Sequence, residues 1–248
     1  MRRRLLLGGG VLIAGAAALG WALDRPPGYG ATIAWQAMLS GPPAAGSAVD
    51  RADRAAFAAT GAGIDGPRWQ QAATEIYPSS DAVTAEIACA LGRRISAETT
   101  PATIRLVTRA ATDMQGPAEA AKRAYRRNRP YVGAADTRTC DPRTLGGIGG
   151  STGGVLSYAY PSGHAAFGRI TALTLAAVLP DRAAALRAWG DRLGDNRLVC
   201  RVHWQSDVAA GRTLADALYP RLAALPAFRA DVAAARAELL KAPAATGC

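Results

Sequence analysis

Histidine is scarce in this sequence, with only His164 and His203 among 248 residues. The four cysteines aside, no other side chain titrates near neutral pH without a shifted pKa, so acid–base chemistry has few candidates. Two histidines without a matched third ligand also make a metal site a weak interpretation. We therefore expect no cofactor and no metal ion, and we expect the function to depend on the two histidines.

Lysine and the aromatic residues are scarce as well. Only two lysines accompany 27 arginines, so the formal net charge of +10 is carried by arginine. Nucleic-acid binding is a poor interpretation of this charge, because the arginines are scattered along predicted helices and aromatic residues do not alternate with them. Attraction of small anionic substrates is the better one.

Long hydrophobic runs are absent beyond the amino terminus. The longest later run, residues 170–179, is far too short to span a bilayer, which argues against an integral membrane domain. Residues 1–24 are predicted to be a signal peptide, since three arginines precede the uncharged apolar run 5–23. Its five glycines favour a cleaved signal, with twin-arginine export or an uncleaved anchor as alternatives. We expect a periplasmic or secreted protein with a single domain over residues 25–248.

Alanine is abundant, and it has the best helix propensity. We find no convincing strand pattern and no internal repeat, so the prediction is an all-α helical bundle. The expected helices cover residues 50–60 and 67–77, a segment after the cap at 79–81, a segment from Pro101 to about Met114, and residues 117–128, 162–178, 181–193, 206–218 and 227–241.

Two stretches are predicted without helix. Residues 24–50, rich in proline and glycine, are expected to form an extended leader on the surface. Residues 132–158 are expected to form a loop, with six glycines between 146 and 154. A nucleotide-type phosphate loop is not indicated, because no Gly-Lys-Ser/Thr follows and no strand precedes. A mobile connection or lid beside the site is the preferred interpretation.

The first candidate block pairs Lys122 with Arg129, seven residues later. At about 100° per residue, the two side chains would fall within about 20° of each other on one helical face. Two cations so placed repel each other unless an anion lies between them. The alternative is a solvated basic face, which Arg123, Arg126 and Arg127 would share.

The second block is Pro161-Ser162-Gly163-His164, which reads as a helix entrance. With Ser162 as the cap, free backbone N–H groups at the positive end of the helix dipole would suit a phosphate oxygen. His164 beside them could deliver a proton. The alternative is an ordinary capped helix with a surface histidine.

The third block contains Arg197, His203 and Asp207. His203 and Asp207 are four apart, hence adjacent on a helical turn if the helix begins early enough. A carboxylate on one imidazole nitrogen fixes the tautomer and leaves the other nitrogen as a nucleophile. Arg197 could direct two N–H groups at phosphate oxygens. The alternative is a buried His–Asp hydrogen bond.

In this order, the three blocks resemble the signature of the superfamily that includes type 2 phosphatidic acid phosphatases, bacterial nonspecific acid phosphatases and vanadium haloperoxidases. Val199-Cys200 and residues 203–208 make the chain similar to the class A bacterial nonspecific acid phosphatases. The likeness runs from about residue 41 to the final helix. One residue departs from the pattern, because Asn196 stands where the family usually has serine, and we expect altered support for Arg197.

The resemblance implies a helical bundle of the acid phosphatase and vanadium haloperoxidase type, and a role for each residue. His203 would be the nucleophile that forms a phosphohistidine, Asp207 would orient it, and His164 would be the general acid. The phosphate oxygens would be held by Lys122, Arg129, Ser162, Gly163 and Arg197. The chemistry agrees, since cations and N–H groups aimed at the equatorial oxygens are the main source of stabilisation in phosphoryl transfer.

The expected substrates are small phosphomonoesters, with inorganic phosphate or vanadate as further ligands of the site. We expect hydrolysis with an optimum below neutrality, resistance to EDTA and inhibition by vanadate. A phosphotransferase activity and a homodimer are further expectations.

Four cysteines in an exported chain predict disulfides. Cys140 and Cys200 lie near the second and third blocks, so Cys140–Cys200 with Cys89–Cys248 is the preferred pairing. The other two pairings and free buried thiols stay open.

Three other functions can be separated from this one. A membrane lipid phosphatase would need several spanning helices. A vanadium haloperoxidase would typically be longer, and bound vanadate with bromide oxidation would reveal it. A non-enzymatic anion-binding protein would keep the cations and lose the nucleophile, and His203 is present.

Overall fold

The computed structural model of the chain describes residues 26–77, 80–141 and 158–248. Within these ranges it contains nine α-helices: α1 Trp35–Met38, α2 Ala48–Ala59, α3 Pro67–Thr74, α4 Asp81–Leu91, α5 Pro101–Tyr125, α6 Gly163–Val178, α7 Ala183–Val199, α8 Gln205–Ala223 and α9 Pro226–Leu239. The same ranges contain no β-strand, only one isolated antiparallel bridge between Arg93 and Ala244. The predicted all-α fold is confirmed.

Helix α6 lies at the centre of the bundle and contacts α5, α7, α8 and α9. Its buried residues include Ile170, Ala172, Leu175 and Val178, and they occupy most of its circumference, as expected for a helix enclosed by others. Arg169 is the one Asp, Glu, Lys or Arg residue within this helix. The functional blocks are therefore attached to the most enclosed element of the fold.

Glycines allow α6 to approach its neighbours closely. A Cβ atom added to Gly168 of α6 would lie 2.5 Å from the backbone oxygen of Gly190 in α7, and the reverse distance is also 2.5 Å. A Cβ atom on Gly211 of α8 would lie 2.3 Å from the carbonyl oxygen of Ser162. No larger residue fits at these crossings without displacing backbone, so they fix where the entrance of α6 meets α8.

Helix α5 corrects the expected break at Pro117. The structure has one continuous helix from Pro101 to Tyr125, because Met114, Ala118 and Ala121 continue one buried stripe across the proline. Proline removes one helical hydrogen bond, and tertiary packing outweighs that loss. The helix ends at Tyr125 rather than at about residue 128, because Arg126 adopts a left-handed conformation with φ of 48°.

Helix α7 was also predicted with the wrong limits. Asp181 lies in a short 3₁₀ helix, and α7 runs from Ala183 to Val199 instead of ending near Leu193. Gly190 and Gly194 do not end it, because both are buried against α6. Arg197 therefore lies on the last turn of a helix.

The leader is more firmly attached than predicted. Ala31 and Leu39 are buried in the core, and α1 forms within this segment. The Tyr29 hydroxyl donates to Asp231, and the Tyr29 amide donates to Asp113 on α5. The predicted surface leader is therefore partly right, because most of residues 26–50 are exposed or half-buried while Ala31 and Leu39 reach the core.

Both preferred disulfides, Cys89–Cys248 and Cys140–Cys200, are present. Cys140–Cys200 lies in a small apolar cluster with Trp69 and Ala72 of α3 and with Val202. Cys200 and Val202 of this cluster belong to the third block, between Arg197 and His203.

Some predicted features lie outside the described residues: the signal peptide at 1–24, Ser79 of the helix cap, and residues 142–157 of the glycine-rich loop. Residues 132–141 and 158, the described parts of that loop, have neither helix nor strand. Among the helices of the described ranges, none combines the length and the apolar character needed to cross a bilayer.

Candidate active site

His203 lies in the turn between α7 and α8 and is only 4% exposed. Its Nδ1 atom is 3.4 Å from Oδ2 of Asp207, at the outer limit of a hydrogen bond. Its Nε2 atom is 3.4 Å from Nη1 of Arg129. The sequence predicted a helical pairing of His203 and Asp207 only if the helix began early enough, and that condition is not met because α8 begins at Gln205. Asp207 instead reaches back from the first turn of α8 and also accepts the Trp204 backbone N–H, at 2.8 Å.

The surroundings of His203 favour its neutral form. Burial lowers the pKa of the imidazole well below its ordinary value, and the neighbouring cations Arg129, Lys122 and Arg197 lower it further. A hydrogen bond to the backbone at Ala159 opposes them. A neutral imidazole close to three cations has the chemistry of a nucleophile toward a negatively charged ligand.

Lys122 and Arg129 converge on this imidazole, although not along one helical face. Lys122 is buried on α5 and donates to the carbonyl of Tyr158 at 2.8 Å. Arg129 lies beyond the end of α5, three residues after the left-handed Arg126. It donates to the carbonyl of Val202 at 2.7 Å. Burial, and then the charge of Arg129, lower the pKa of Lys122 to about 7.

Arg197 is completely buried at the end of α7. Its Nη2 atom donates to the carbonyl oxygen of Ala72 in α3 at 2.9 Å, and its Nη1 atom is 3.8 Å from Oδ2 of Asp141. These contacts hold the guanidinium group close enough to His203 to affect its charge.

The second block forms the entrance of α6 as predicted. The Ser162 side chain accepts the N–H of Ala165, and its own backbone N–H donates to the carbonyl of Asp207 at 2.9 Å. Among the residues that the structure describes, none has a heavy atom within 4 Å of where a Cβ atom on Gly163 would lie. The half-buried His164 places Nε2 2.7 Å from the carbonyl oxygen of Ile76.

These contacts bring the three blocks together. Asp207 touches both His203 and the backbone of Ser162, the cations of the first and third blocks influence the His203 imidazole, and His164 follows Ser162 at the same helix entrance. In the described ranges, no group of three or more His, Cys, Asp or Glu side chains is placed to hold a metal ion. Three cationic side chains around one imidazole are an arrangement suited to an anionic ligand.

Comparison with known proteins agrees with this geometry. The profile of the PAP2 superfamily matches residues 102–224, which contain all three blocks. The non-specific acid phosphatase of Salmonella typhimurium is 34% identical over 209 residues, covering 82% of this chain and 79% of that protein. The chain belongs to the PAP2 superfamily.

Two other relatives are of the same kind. The acid phosphatase of Zymomonas mobilis is 33% identical and covers 82% of this chain and 75% of its own length. The non-specific acid phosphatase of Providencia stuartii is 31% identical, with 83% and 80% covered. The expected superfamily and the expected enzyme class, an acid phosphatase, are confirmed.

One important residue of this PAP2 site was not singled out in the sequence. Arg127, interpreted there as part of a solvated basic face, is 11% exposed and donates to Asp207 at 2.5 Å and to Asp53 at 2.8 Å. Asp53 of α2 also accepts the backbone N–H and the hydroxyl of Ser206. Burial raises the pKa of Asp207, and the Arg127 charge opposes this shift. The position of Arg127 inside the first block was the available signal, whereas nothing in the sequence pointed to Asp53.

Asn196, the departure from the superfamily pattern, is completely buried. Its amide oxygen accepts a hydrogen bond from Arg68, and its amide nitrogen donates to Glu75. Both partners belong to α3 or its end, so the side chain of Asn196 is directed at that helix.

Proposed function

We propose that the chain is an exported, metal-independent acid phosphatase that hydrolyses phosphomonoesters through a phosphohistidine at His203. The observation that supports this most is the neutral, buried imidazole of His203 among Lys122, Arg129 and Arg197. Such a site suits a ligand that is both anionic and electrophilic at its centre, as a phosphomonoester is.

The phosphoryl group binds between the cations and the entrance of α6. Lys122, Arg129 and Arg197 neutralise its oxygens, and backbone N–H groups at Ser162 and Gly163 lie at the positive end of the α6 dipole. The glycine at 163 supports this placement, because no described residue fills the position that its Cβ atom would take and a phosphoryl oxygen fits there.

In the first step, Nε2 of His203 attacks phosphorus. The N–P bond forms while the bond from phosphorus to the ester oxygen breaks, and His164 gives its proton to the leaving oxygen. Asp207 holds the Nδ1–H group of His203 and stabilises the positive charge that develops on the ring. The leaving alcohol then departs.

In the second step, water attacks the phosphohistidine. Its oxygen bonds to phosphorus, the N–P bond breaks, and His164 takes the proton that water loses. Inorganic phosphate leaves and both histidines return to their starting states. An acceptor alcohol in place of water would give phosphotransferase activity by the same step.

Export is part of the proposal. Residues 1–24 serve as a signal peptide, and the two disulfides suit an oxidising compartment such as the periplasm. The single domain over 25–248 and the homodimer stay predictions. Mass spectrometry of the exported protein identifies its first residue and so shows whether the signal peptide is removed. Light scattering measures the molar mass and so shows whether the protein is a dimer.

The deciding experiment uses residues 25–248 with p-nitrophenyl phosphate between about pH 5 and 7 in excess EDTA. His203→Ala should lower kcat by about a thousandfold or more, as loss of a nucleophile does elsewhere. Quenching with phosphorus-labelled substrate should trap an acid-labile phosphoenzyme in the wild type. The matched control is His164→Ala, which removes the other histidine and should still be labelled.

Wild-type turnover in His203→Ala would exclude this mechanism. If the folded wild type gives no turnover, vanadate binding with bromide oxidation would indicate a haloperoxidase-like protein. Vanadate binding without oxidation would indicate a non-catalytic oxyanion-binding protein.

A further inference from the structure

The end of α3 holds two groups of the site through backbone carbonyls. We call residues 72–76 the α3 terminal turn. The carbonyl of Ala72 accepts from Nη2 of Arg197 at 2.9 Å, and the carbonyl of Ile76 lies 2.7 Å from Nε2 of His164. One short segment thus contacts a residue of α7 and a residue of α6, and the positions of both depend on it.

The α3 terminal turn is itself held by Asn196. The amide of Asn196 bonds to Arg68, the second residue of α3, and to Glu75, which follows its last residue. A side-chain amide can donate and accept at once, so one residue holds both ends of this helix. Asn196 and Glu75 are 0% and 1% exposed, so water does not compete for these bonds.

Burial of the Glu75 carboxyl is compatible with the acidic conditions proposed for the enzyme. Burial and a hydrogen bond to Glu86 raise the pKa of Glu75 to about 7, with Arg192 and Arg68 opposing. Below neutral pH this carboxyl is therefore mostly protonated, and an uncharged group is buried at a lower free-energy cost.

We infer that Asn196 and Glu75 are positioning residues for phosphoryl transfer, which hold the α3 terminal turn so that His164 faces the leaving-group oxygen and Arg197 faces the phosphoryl oxygens. This inference rests on the proposed function. The serine usual at position 196 has a single hydroxyl on a shorter side chain, so it could not span Arg68 and Glu75 together. The asparagine therefore links α7 to α3 in a way that the family pattern does not provide.

The expected signature is a dependence on the leaving group. A p-nitrophenolate leaves readily without a proton, whereas an alkoxide requires one, so misplacing the general acid harms alkyl phosphates most. A general acid contributes about a hundredfold to ten-thousandfold, and small displacements remove much of that. We expect Asn196→Ala to lower kcat/KM for ethyl phosphate by about tenfold more than for p-nitrophenyl phosphate.

Two further variants keep the test decisive if Asn196→Ala folds poorly. Asn196→Ser retains one hydrogen bond and should show a smaller effect of the same kind. Glu75→Gln keeps an acceptor for the Asn196 amide and should lose less than Glu75→Ala. The matched control is Glu238→Ala. Its carboxylate accepts the N–H groups of Ala102 and Thr103 at the start of α5, the end of that helix far from Lys122.

A second measurement does not depend on turnover. The chain has two histidines, so its imidazole NMR signals can be assigned with His164→Ala alone. Asn196→Ala should shift the ring signals of His164, because the hydrogen bond to Ile76 is displaced, and Glu238→Ala should leave them unchanged.

The outcomes separate the inference from the proposed function. Equal losses for both substrates with an unchanged His164 signal would overturn the inference and leave the phosphatase mechanism standing. If the wild type hydrolyses neither ester, the proposed function fails, and the His164 signal alone decides whether Asn196 positions the ring.

Discussion

The two histidines of the site are held by different kinds of contact. Behind His203 lies a chain of alternating charges, in which Asp207 bonds to Arg127 and Arg127 bonds to Asp53, all with little or no exposure. His164 instead meets the backbone carbonyl of Ile76, whose turn is held by the neutral amide of Asn196. The contacts just described behind His203 are ionic, whereas those behind His164 run through a backbone carbonyl and a side-chain amide.

The difference matches what each ring does in the proposed reaction. A nucleophilic imidazole becomes positively charged when it bonds to phosphorus, so a carboxylate behind it stabilises the intermediate. A general acid must release its proton and take one back. An anionic partner would hold that proton too strongly, whereas a carbonyl dipole orients the ring with a weaker pull.

Among changes to the residues that support the two histidines, the largest effect is expected from breaking the ionic contacts of Arg127. Arg127→Met leaves two buried carboxylates without their cation, which should lower the free energy of unfolding by about 3 kcal/mol. We expect kcat/KM to fall by about tenfold to a hundredfold for aryl and alkyl esters alike. This loss is smaller than the roughly ten-thousandfold loss of kcat when the orienting carboxylate of a serine-protease triad is altered, because Asp207 itself is retained. Denaturant unfolding and steady-state kinetics check both values.

The pH profile gives a sharper test of the same variant. Arg127 opposes the rise in the pKa of Asp207 that burial causes, so without it Asp207 takes up its proton at higher pH. The acid limb of the kcat profile should move to higher pH. Arg105→Met, which breaks a more exposed ion pair between Arg105 of α5 and Asp231 of α9, is the matched control and should leave the limb in place. An unmoved limb in Arg127→Met would show that the charge chain does not act on Asp207.

An intermediate effect is expected from Lys122. Its pKa is lowered from the usual 10.5 to about 7, so its positive charge is present below pH 7 and is lost as the pH rises through that value. Arg129 and Arg197 keep their charges throughout. Affinity for sulfate, which does not itself titrate here, should therefore fall above pH 7, by at most about tenfold per pH unit.

Inhibition by sulfate from about pH 5 to 9 measures this dependence. Lys122→Met should bind sulfate weakly and with little change over that range. A wild-type affinity that stays constant across pH 7 would mean that Lys122 keeps its charge in the site.

The smallest effect is expected from the disulfides, and it should fall on the contacts behind His164. Cys140–Cys200 packs against Trp69 and Ala72 of α3, so replacing both cysteines by serine should loosen the α3 terminal turn. We expect a loss of about threefold in kcat/KM for ethyl phosphate and less for p-nitrophenyl phosphate. Replacing Cys89 and Cys248 is the control, and it should lower stability by about 2 to 4 kcal/mol without a change in leaving-group dependence. Equal kinetic effects of the two replacements would contradict a specific link to α3.

The three blocks could be recognised from the sequence because each lies within a stretch of at most eleven residues. The residue types in all three suit an anionic phosphoryl group. The sequence also allowed the fold class to be predicted, since alanine, helix caps and spaced apolar residues act locally. The Lys122–Arg129 geometry could not be predicted, because it depends on a left-handed residue, Arg126, that breaks the helical spacing. The break predicted at Pro117 was wrong because it, too, depends on tertiary structure. Buried residues on both sides of this proline keep α5 continuous.

The supporting residues were beyond sequence reasoning because their partners are distant along the chain. Arg127 lies 74 positions from Asp53, and Asn196 lies 121 positions from Glu75. Asn196 was noticed only as a departure from a pattern. Its role depends on α3, and no periodicity or spacing connects the two.

The crossing at Gly211 bears on thermal motion in the site. The Ser162 carbonyl occupies the space that a Gly211 side chain would take, and the Ser162 N–H is bonded to the Asp207 carbonyl. Both backbone polar groups of Ser162, at the entrance of α6, therefore contact the first turns of α8. Fluctuations of the bundle should therefore carry the entrance of α6 and the Asp207 carboxylate as a single body. In the proposed reaction, this would preserve the distance between His203 and a phosphoryl group bound at that entrance while the surrounding helices move.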